Sequence, residues 1–187
     1  EDIISKSDSE LEMMRKAGLK LLYIGIESGD DELLRAVSKG ETYTTTVEGI
    51  IKAHNAGIDT SVMIINGLGG KKFSDRHAEN SADVVNSVQP KYLSLLTLSL
   101  PLGLQRYVKR FKDEFIPLDL KGLLREVRIF VAGTETDNTI FRADHISNLL
   151  VLKGILSRDK ERILNEIDSA IDMHSDMPLD YSRNTYL

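Results

Sequence analysis

The chain has 187 residues, which is enough for one domain with a sizeable core. Its net charge of −5 gives no electrostatic reason to bind a nucleic-acid backbone. It has no cysteine, which excludes disulfides, thiolate metal ligands and thiol nucleophiles within this chain. No apolar run reaches the roughly 20 residues that span a bilayer, so we expect a cytoplasmic protein without a membrane partner.

The first half of the chain alternates between helix and strand signals. In chain order, the predicted elements are a helix from Ser7 to Ala17, a strand from Leu21 to Ile26, a short helix capped by Asp30 or Asp31 and ended by Gly40, a helix opened by a Thr45–Glu48 capping box and ended by Gly57, a strand from Thr60 to Ile65, a flexible loop from Gly67 to Gly70, a helix from Ser74 to Val88, and a strand from Tyr92 to Leu98. Strands separated by helices indicate a parallel α/β sheet, which is either part of a β/α barrel or doubly wound.

The second half is predicted to be mainly helical. Its predicted elements are helices from Leu104 to Phe115 and from Leu120 to Val131, a polar loop from Gly133 to Asp144, a short helix from His145 to Leu152, a helix from Arg158 to Met173 that Ser157 caps, and a loosely attached arm from Ser175.

Three features after the first two strands are candidates for ligand binding. Glu27 ends the first strand, where α/β folds usually bind ligands, and it either accepts hydrogen bonds from vicinal hydroxyls or caps the next helix. Lys39 is either a counter-ion for an anionic group or a cation near a helix C-terminus. The glycine cluster that begins at Gly67 either exposes backbone amides to a ligand or forms a plain tight turn.

Polar donors also concentrate between Phe141 and Asn148, and His145 is the histidine we expect to be functional. His54, His77 and His174 lie on predicted helices, where surface or satisfied core roles are more common. No two histidines stand at the i, i+4 spacing of a zinc helix.

These segments together resemble the radical S-adenosylmethionine (SAM) superfamily. Gly25 to Asp30, followed by Lys39-Gly40, resembles its fourth-strand region, as in oxygen-independent coproporphyrinogen oxidases and tRNA methylthiotransferases. Met63 to Gly70 resembles its fifth-strand motif I-x-G-x-x-E, except that Gly70 replaces the closing acid. Tyr92 to Leu98 resembles its sixth strand. The later Arg-x-x-His-x-Ser-Asn pattern is similar to uncharacterised radical SAM oxidoreductases.

The resemblance implies a partial parallel β/α barrel of about three βα units, with residues 1–115 as its later half and residues 116–187 as a helical extension. It implies that Glu27 contacts the SAM ribose and Lys39 the SAM carboxylate. The full set of implied cofactor contacts is Glu27, Ser28, Lys39, Met63, Ile65, Gly67, Leu96 and Thr97. Candidate substrate or loop residues are Arg142, His145 and Asn148, and no catalytic residue is assigned.

The family also holds a 4Fe–4S cluster on three cysteines, C-x-x-x-C-x-x-C, and this chain has none. We therefore expect a fragment of a longer radical SAM protein that cleaves SAM reductively to a deoxyadenosyl radical. Its partners would be the missing N-terminal half of the barrel and an unidentified small-molecule substrate. Three closely spaced cysteines encoded before Glu1 are what this hypothesis requires.

Two alternatives stay open. One is a non-catalytic barrel-half scaffold or interaction module. The other is an ordinary β/α-barrel enzyme that uses Glu27 and His145 as acid and base. If the chain is half a barrel, strand edges at Leu21–Ile26 and Tyr92–Leu98 would be open, so we expect a homodimer or a covering of the edge by C-terminal helices.

Overall fold

The computed structural model describes residues 2–100, 103–112 and 114–173. Its strands form one five-stranded sheet in sequence order: β1 (Leu21–Glu27), β2 (Asp59–Asn66), β3 (Tyr92–Thr97), β4 (Ile140–Ala143) and β5 (Leu152–Ile155). The first four strands are parallel, and β5 pairs antiparallel with β4. The predicted α/β class and the parallel βα units are confirmed, and the open sheet is consistent with part of a barrel.

Helices connect the strands and follow them. They are α1 (Asp2–Ser5), α2 (Asp8–Lys16), α3 (Asp31–Ala36), α4 (Tyr43–Asn55), α5 (Gly70–Val88), α6 (Leu104–Val108), α7 (Leu120–Gly133) and α8 (Leu156–Met173), with a short 3₁₀ turn at Lys109–Phe111. His174 and the predicted arm from Ser175 lie outside the described residues.

Local capping explains where two of the helices begin. The Ser7 hydroxyl accepts a hydrogen bond from the Glu10 amide, and the Glu10 carboxylate accepts one from the Ser7 amide, as predicted. The predicted capping box at Thr45 was wrong in position, because Thr42 caps α4 and Thr45 is its third residue. The Thr45 hydroxyl accepts from the Thr42 amide, in the way an acidic side chain usually does.

The two faces of the sheet differ in what covers them. Alternate residues such as Ile24, Val62 and Leu93 are on the helical face, in the main core with side chains of α4, α5, α7 and α8. The intervening residues, such as Tyr23 and Met63, point to the opposite face. We call this the open face, because most of its side chains are half-buried or exposed, and Tyr23 is 75% exposed.

The second half of the chain departs from the prediction. The segment predicted as a polar loop contains β4, and the segment predicted as a short helix is irregular and leads into β5. Phe141 and Leu152 are buried on the helical face and complete the main core. Each strand has only four residues, too few for the period-2 pattern to stand out in a polar segment. The predicted helix from Leu104 is also shorter, since α6 ends at Val108.

These two strands change which edges of the sheet are open. The prediction of an open edge at Tyr92–Leu98 was wrong, because β3 pairs with β2 on one side and β4 on the other. The edge of β1 is bordered by α1 and α4, with a cleft of about 70 Å³ between them. The main contacts of α7 and α8 lie elsewhere, on α5 and β5.

Gly29 lies where the turn after β1 meets α5, and its substitution tests how rigid this contact is. A Cβ at this position would lie 2.1 Å from the backbone oxygen of Asn80, which cannot move without disturbing α5. We expect Gly29→Ala to lower the free energy of unfolding by about 2–3 kcal/mol, as overpacking does in cores. Urea denaturation measures the change.

Gly18→Ala is the matched control. Gly18 has a left-handed backbone with φ of 111°, but its added Cβ would meet no atom within 4 Å. Only backbone strain of about 1 kcal/mol opposes this substitution. If both variants lose the same free energy of unfolding, the backbone of α5 can shift to accommodate the added methyl group.

Candidate functional site

Glu27 ends β1 in a strained backbone conformation that turns its side chain onto the open face. Its φ is 62°, and the pairing with β2 shifts register between Gly25 and Glu27, which is a bulge. A Cβ on Gly25 would lie 2.4 Å from the Glu27 carboxylate. Because Gly25 faces away from the core, the carboxylate lies over it on the open face. Bulges of this kind redirect a side chain at the end of a strand.

Lys39 reaches this carboxylate from the segment after α3. Its Nζ lies 3.4 Å from Glu27 Oε1, and both side chains are about one-quarter exposed. The pair is therefore partly screened by solvent and contributes at most about 1 kcal/mol to stability. Its greater effect is to place one carboxylate and one ammonium group together at the carboxyl end of β1.

Half-buried apolar side chains lie beside this pair on the open face. Met63 is the neighbour of Gly25 on β2, and Ile65 pairs with Leu96 across β2 and β3. Adjacent strands lie about 4.8 Å apart, so this apolar floor begins one strand away from the Glu27 carboxylate. A flat apolar group attached to a diol could therefore contact the floor and the carboxylate at once.

The turn after β1 is held on the helical face by polar side chains of α5. Ser28 is buried, and its hydroxyl lies 2.7 Å from Nδ1 of His77. The His77 Nε2 atom lies 3.0 Å from the Ile65 carbonyl, which can only accept. Nε2 therefore carries the proton, and Ser28 donates to Nδ1. The Gly29 amide donates to Ser81 in the same row.

The turn after β2 is held by a buried carboxylate from α7. Glu126 accepts a hydrogen bond from the Gly67 amide at 2.5 Å and one from the Ser74 hydroxyl at 2.6 Å. The predicted flexible loop at Gly67–Gly70 was wrong, because these glycines are buried and α5 begins at Gly70. The turn is tightly packed, since two helices supply its polar partners.

Burial shifts the pKa values of His77 and Glu126 toward values that favour their neutral forms. It lowers the pKa of His77 to about 4, against the hydrogen bond to Ile65. Burial raises the pKa of Glu126 to about 7, although the bonds from Gly67 and Ser74 oppose this and Asp75 adds to it. His77 Nε2 lies 3.7 Å from Glu126, but a neutral imidazole makes this contact polar rather than an ion pair.

Two of the predicted loop residues, His145 and Asn148, lie near the end of β3. The Thr97 hydroxyl donates to the side-chain oxygen of Asn148, whose amide donates to the Leu95 carbonyl. Ser147 accepts from the Thr97 amide and contacts Nδ1 of His145 at 2.8 Å. Thr97 and Asn148 line a cavity of about 20 Å³, which is room for one water molecule.

Comparison with known proteins places this arrangement in a family context. Residues 3–85 match the model of the radical SAM superfamily. The match runs from α1 into α5 and includes Glu27, Lys39 and Gly67, so the resemblance noted in the sequence is confirmed over this part of the chain. No curated protein matches the sequence. The narrower likenesses to individual radical SAM enzymes stay predictions.

A solved structure shares the fold. The chain is similar to the archaeal Methanocaldococcus infernus Elp3 with an N-terminal deletion, with a TM-score of 0.58 and 16% sequence identity. The similarity covers 88% of this chain and 39% of the Elp3 chain, so the present chain spans well under half of that protein. At this identity, the likeness shows the fold alone.

The radical SAM residues predicted from sequence separate into two groups in the structure. Glu27, Lys39 and the apolar floor lie together on or beside the open face. Ser28, Gly67 and Thr97 have their polar groups bonded on the helical side. All eight assignments stay predictions. Sequence reasoning missed Glu126, which sits in a region predicted as an extension; the only signal was an acid within an apolar helix stripe.

Two features of the described residues bear on cofactors and membranes. No group of three or more His, Asp or Glu side chains among residues 2–100, 103–112 and 114–173 is arranged to hold a metal ion. Within the same residues, every helix is too short or too polar to cross a membrane.

Arg142, the remaining predicted loop residue, is exposed and bonds Asp144, and His145 is exposed as well.

Replacing Glu126 with glutamine is expected to change how stability depends on pH. Its pKa of about 7 lies above the ordinary 4.5, so the folded chain loses stability as the pH rises between these values. Glutamine does not titrate, so its free energy of unfolding does not fall in this way. Relative to the parent chain, E126Q should gain up to about 3 kcal/mol in free energy of unfolding across this range. Urea denaturation at several pH values measures the gain.

Glu12→Gln is the control, because it removes an exposed carboxylate that pairs with Lys16 on α2. We expect it to keep the parent's profile. In the parent, His77 opposes Glu126, since its lowered pKa makes stability rise with pH between about 4 and 6.5. Identical profiles for E126Q and the parent would contradict the raised pKa of Glu126.

The strain at Glu27 is also measurable. Both Glu27→Gly and Glu27→Gln remove the charge, but only glycine relieves the left-handed backbone. We expect the glycine variant to be more stable than the glutamine variant by about 1 kcal/mol in urea denaturation. The same two changes at Glu32, inside α3, should reverse the order, because glycine weakens a helix. A less stable glycine variant at Glu27 would show that its backbone is not strained.

Proposed function

We propose that the open face of this chain forms the ribose and adenine side of a SAM pocket in a radical SAM protein. The observation that carries the proposal is the Glu27 carboxylate, which a strained bulge holds over Gly25 on the open face. Strained backbone of this kind is concentrated at functional sites. The family match over residues 3–85 supports the same assignment.

The residues present suit the nucleoside part of the cofactor. A carboxylate accepts two hydrogen bonds from vicinal ribose hydroxyls, as acidic residues do in other α/β folds. The floor of Met63, Ile65 and Leu96 offers an apolar surface for adenine, beginning one strand away from Glu27. Lys39 then has two partners, the Glu27 carboxylate and the carboxylate of the methionine moiety.

The iron–sulfur cluster does not fit this chain. Such a cluster needs thiolate ligands, and the chain has no cysteine. We therefore assign no step of a radical reaction to any of its residues. Reductive cleavage of SAM belongs, in this proposal, to a longer protein whose remaining part supplies the cluster. The coverage of only 39% of the Elp3 chain is compatible with such a protein.

The same proposal names the partner of the open face. Tyr23, Met63, Ser94 and Arg142 on this face are exposed or half-buried, and the edge of β1 has no strand beyond it in the described residues. The missing half of a barrel would pair with β1 and cover the face. A second copy of the chain is the competing occupant, and its binding would give a homodimer.

The geometry does not favour an ordinary acid–base enzyme. Glu27 ends β1, whereas His145 follows β4, three strands away. Three strand spacings amount to about 14 Å, which is too far for both groups to act on one small reacting centre. A scaffold without catalysis is the alternative, and a parent gene that encodes no three closely spaced cysteines before Glu1 would favour it.

Binding of adenosine tests the proposed role of Glu27. We expect NMR titration of the chain to show weak adenosine binding, with shifts at Met63, Ile65 and Leu96. The binding of 2′,3′-dideoxyadenosine should be about tenfold weaker, because it lacks the hydroxyls that bond a charged acceptor. In E27Q, the two ligands should bind nearly alike, since the charged acceptor is gone.

Glu12→Gln again serves as the control, because its carboxylate lies on α2, outside the proposed pocket. This variant should keep the difference between the two nucleosides. Equal binding of both nucleosides to the unmodified chain, or an unchanged difference in E27Q, would overturn the ribose assignment.

A further inference from the structure

The end of β2 is anchored at three consecutive residues. The Ile65 carbonyl accepts from His77 of α5, and the Asn66 side chain donates to the Leu123 carbonyl of α7. The Gly67 amide donates to the Glu126 carboxylate. Two of these three hydrogen bonds are made with α7, a helix more than fifty positions later in the chain. The region predicted as an extension is therefore built into the candidate site.

Glu126 itself is 2% exposed, and both its oxygens are occupied. Burying a carboxylate costs free energy that an apolar side chain of similar size would not cost. The two hydrogen bonds offset part of this cost, because they satisfy the Gly67 amide and the Ser74 hydroxyl. The carboxylate also fixes the orientation of the turn after β2, because one oxygen accepts from the Gly67 amide and the other from the Ser74 hydroxyl of α5.

The orientation of this turn matters for the open face. Ile65 is on the apolar floor, and it is two residues before the amide that Glu126 holds. A shift of Gly67 would tilt the last residues of β2 and move Ile65 relative to Leu96, its partner on β3. The position of the floor under a bound adenine would change with it.

We propose that Glu126 is a positioning residue for the nucleoside pocket, through which α7 sets the turn after β2 and the adjacent floor. This inference rests on the proposed function and deepens it. It makes the later half of the chain a requirement for binding, although α7 itself touches no part of the proposed ligand.

Hydrogen exchange of the Gly67 amide, followed by NMR on the full chain, tests the proposal directly. E126M removes both acceptors while keeping an apolar side chain of similar length, and exchange at Gly67 should become at least about tenfold faster. E126Q retains an acceptor for the amide and a donor for Ser74, so exchange should stay within about twofold of the parent. Adenosine affinity should fall in E126M and recover in E126Q.

Val127→Ala is the matched control, because it opens a cavity next to Glu126 on α7 and leaves the carboxylate in place. It should destabilise the chain without selective loss of protection at Gly67. If E126M does not fold, Ser74→Ala replaces it; losing the partner of one oxygen should speed exchange at Gly67 to a lesser degree.

Two outcomes would overturn the role of Glu126: unchanged exchange at Gly67 in E126M, or an equal effect in V127A. Failure of the unmodified chain to bind adenosine would instead count against the proposed function. The exchange measurement needs no ligand, so the two failures are distinguishable.

Discussion

The contact between the strand-end turns and α5 is the constraint on which the rest of this structure depends. At Gly29 the chain passes so close to the Asn80 carbonyl that no side chain fits between them. Of the polar residues along this face of α5, His77 bonds the Ile65 carbonyl and Ser81 accepts from the Gly29 amide. Ser74 donates to Glu126, which in turn accepts from the Gly67 amide. Because the turns cannot move away from α5, the side chains that follow β1 and β2 have fixed places.

We call Ser28, Ser74, His77, Ser81 and Glu126 the buried row. Such a set of buried polar groups is stable only if each hydrogen-bond donor faces an acceptor. The Ile65 carbonyl fixes the proton of His77 on Nε2, and this leaves Nδ1 free to accept from Ser28. Glu126 then has amide and hydroxyl donors, and neutral His77 beside it places no positive charge in the core. The two pKa shifts have opposite effects on stability: that of His77 makes stability rise with pH, and that of Glu126 makes it fall.

The strands of the first half of the fold, and the position of Glu27 at the end of one of them, could be predicted from the sequence. Apolar runs bounded by caps and glycines are local signals, and they predicted β1, β2 and β3 to within one or two residues. The position of Glu27 at a strand end follows from the same pattern. Its direction does not, because the bulge depends on pairing with β2, which no local pattern encodes.

Long-range contacts explain the other failures. The strands β4 and β5 have four residues each, and they are stable as strands because Phe141 and Leu152 complete a core formed by distant elements. Glu126 looked like one acid in an amphipathic helix, and only the fold brings it to Gly67. In both cases, tertiary packing decided what local propensity left open.

The polar groups at the ends of β1 and β2 are divided between the two faces of the sheet. Near the ends of β1 and β2, the polar groups of Ser28, Gly29 and Gly67 bond on the helical side. Glu27 is the exception, since a left-handed backbone directs its carboxylate to the opposite side. A residue that served only to cap α3 would not need this strain, because Asp30 already caps that helix. The strained carboxylate on the open face, paired with Lys39, is therefore the feature on which the proposed ribose contact depends.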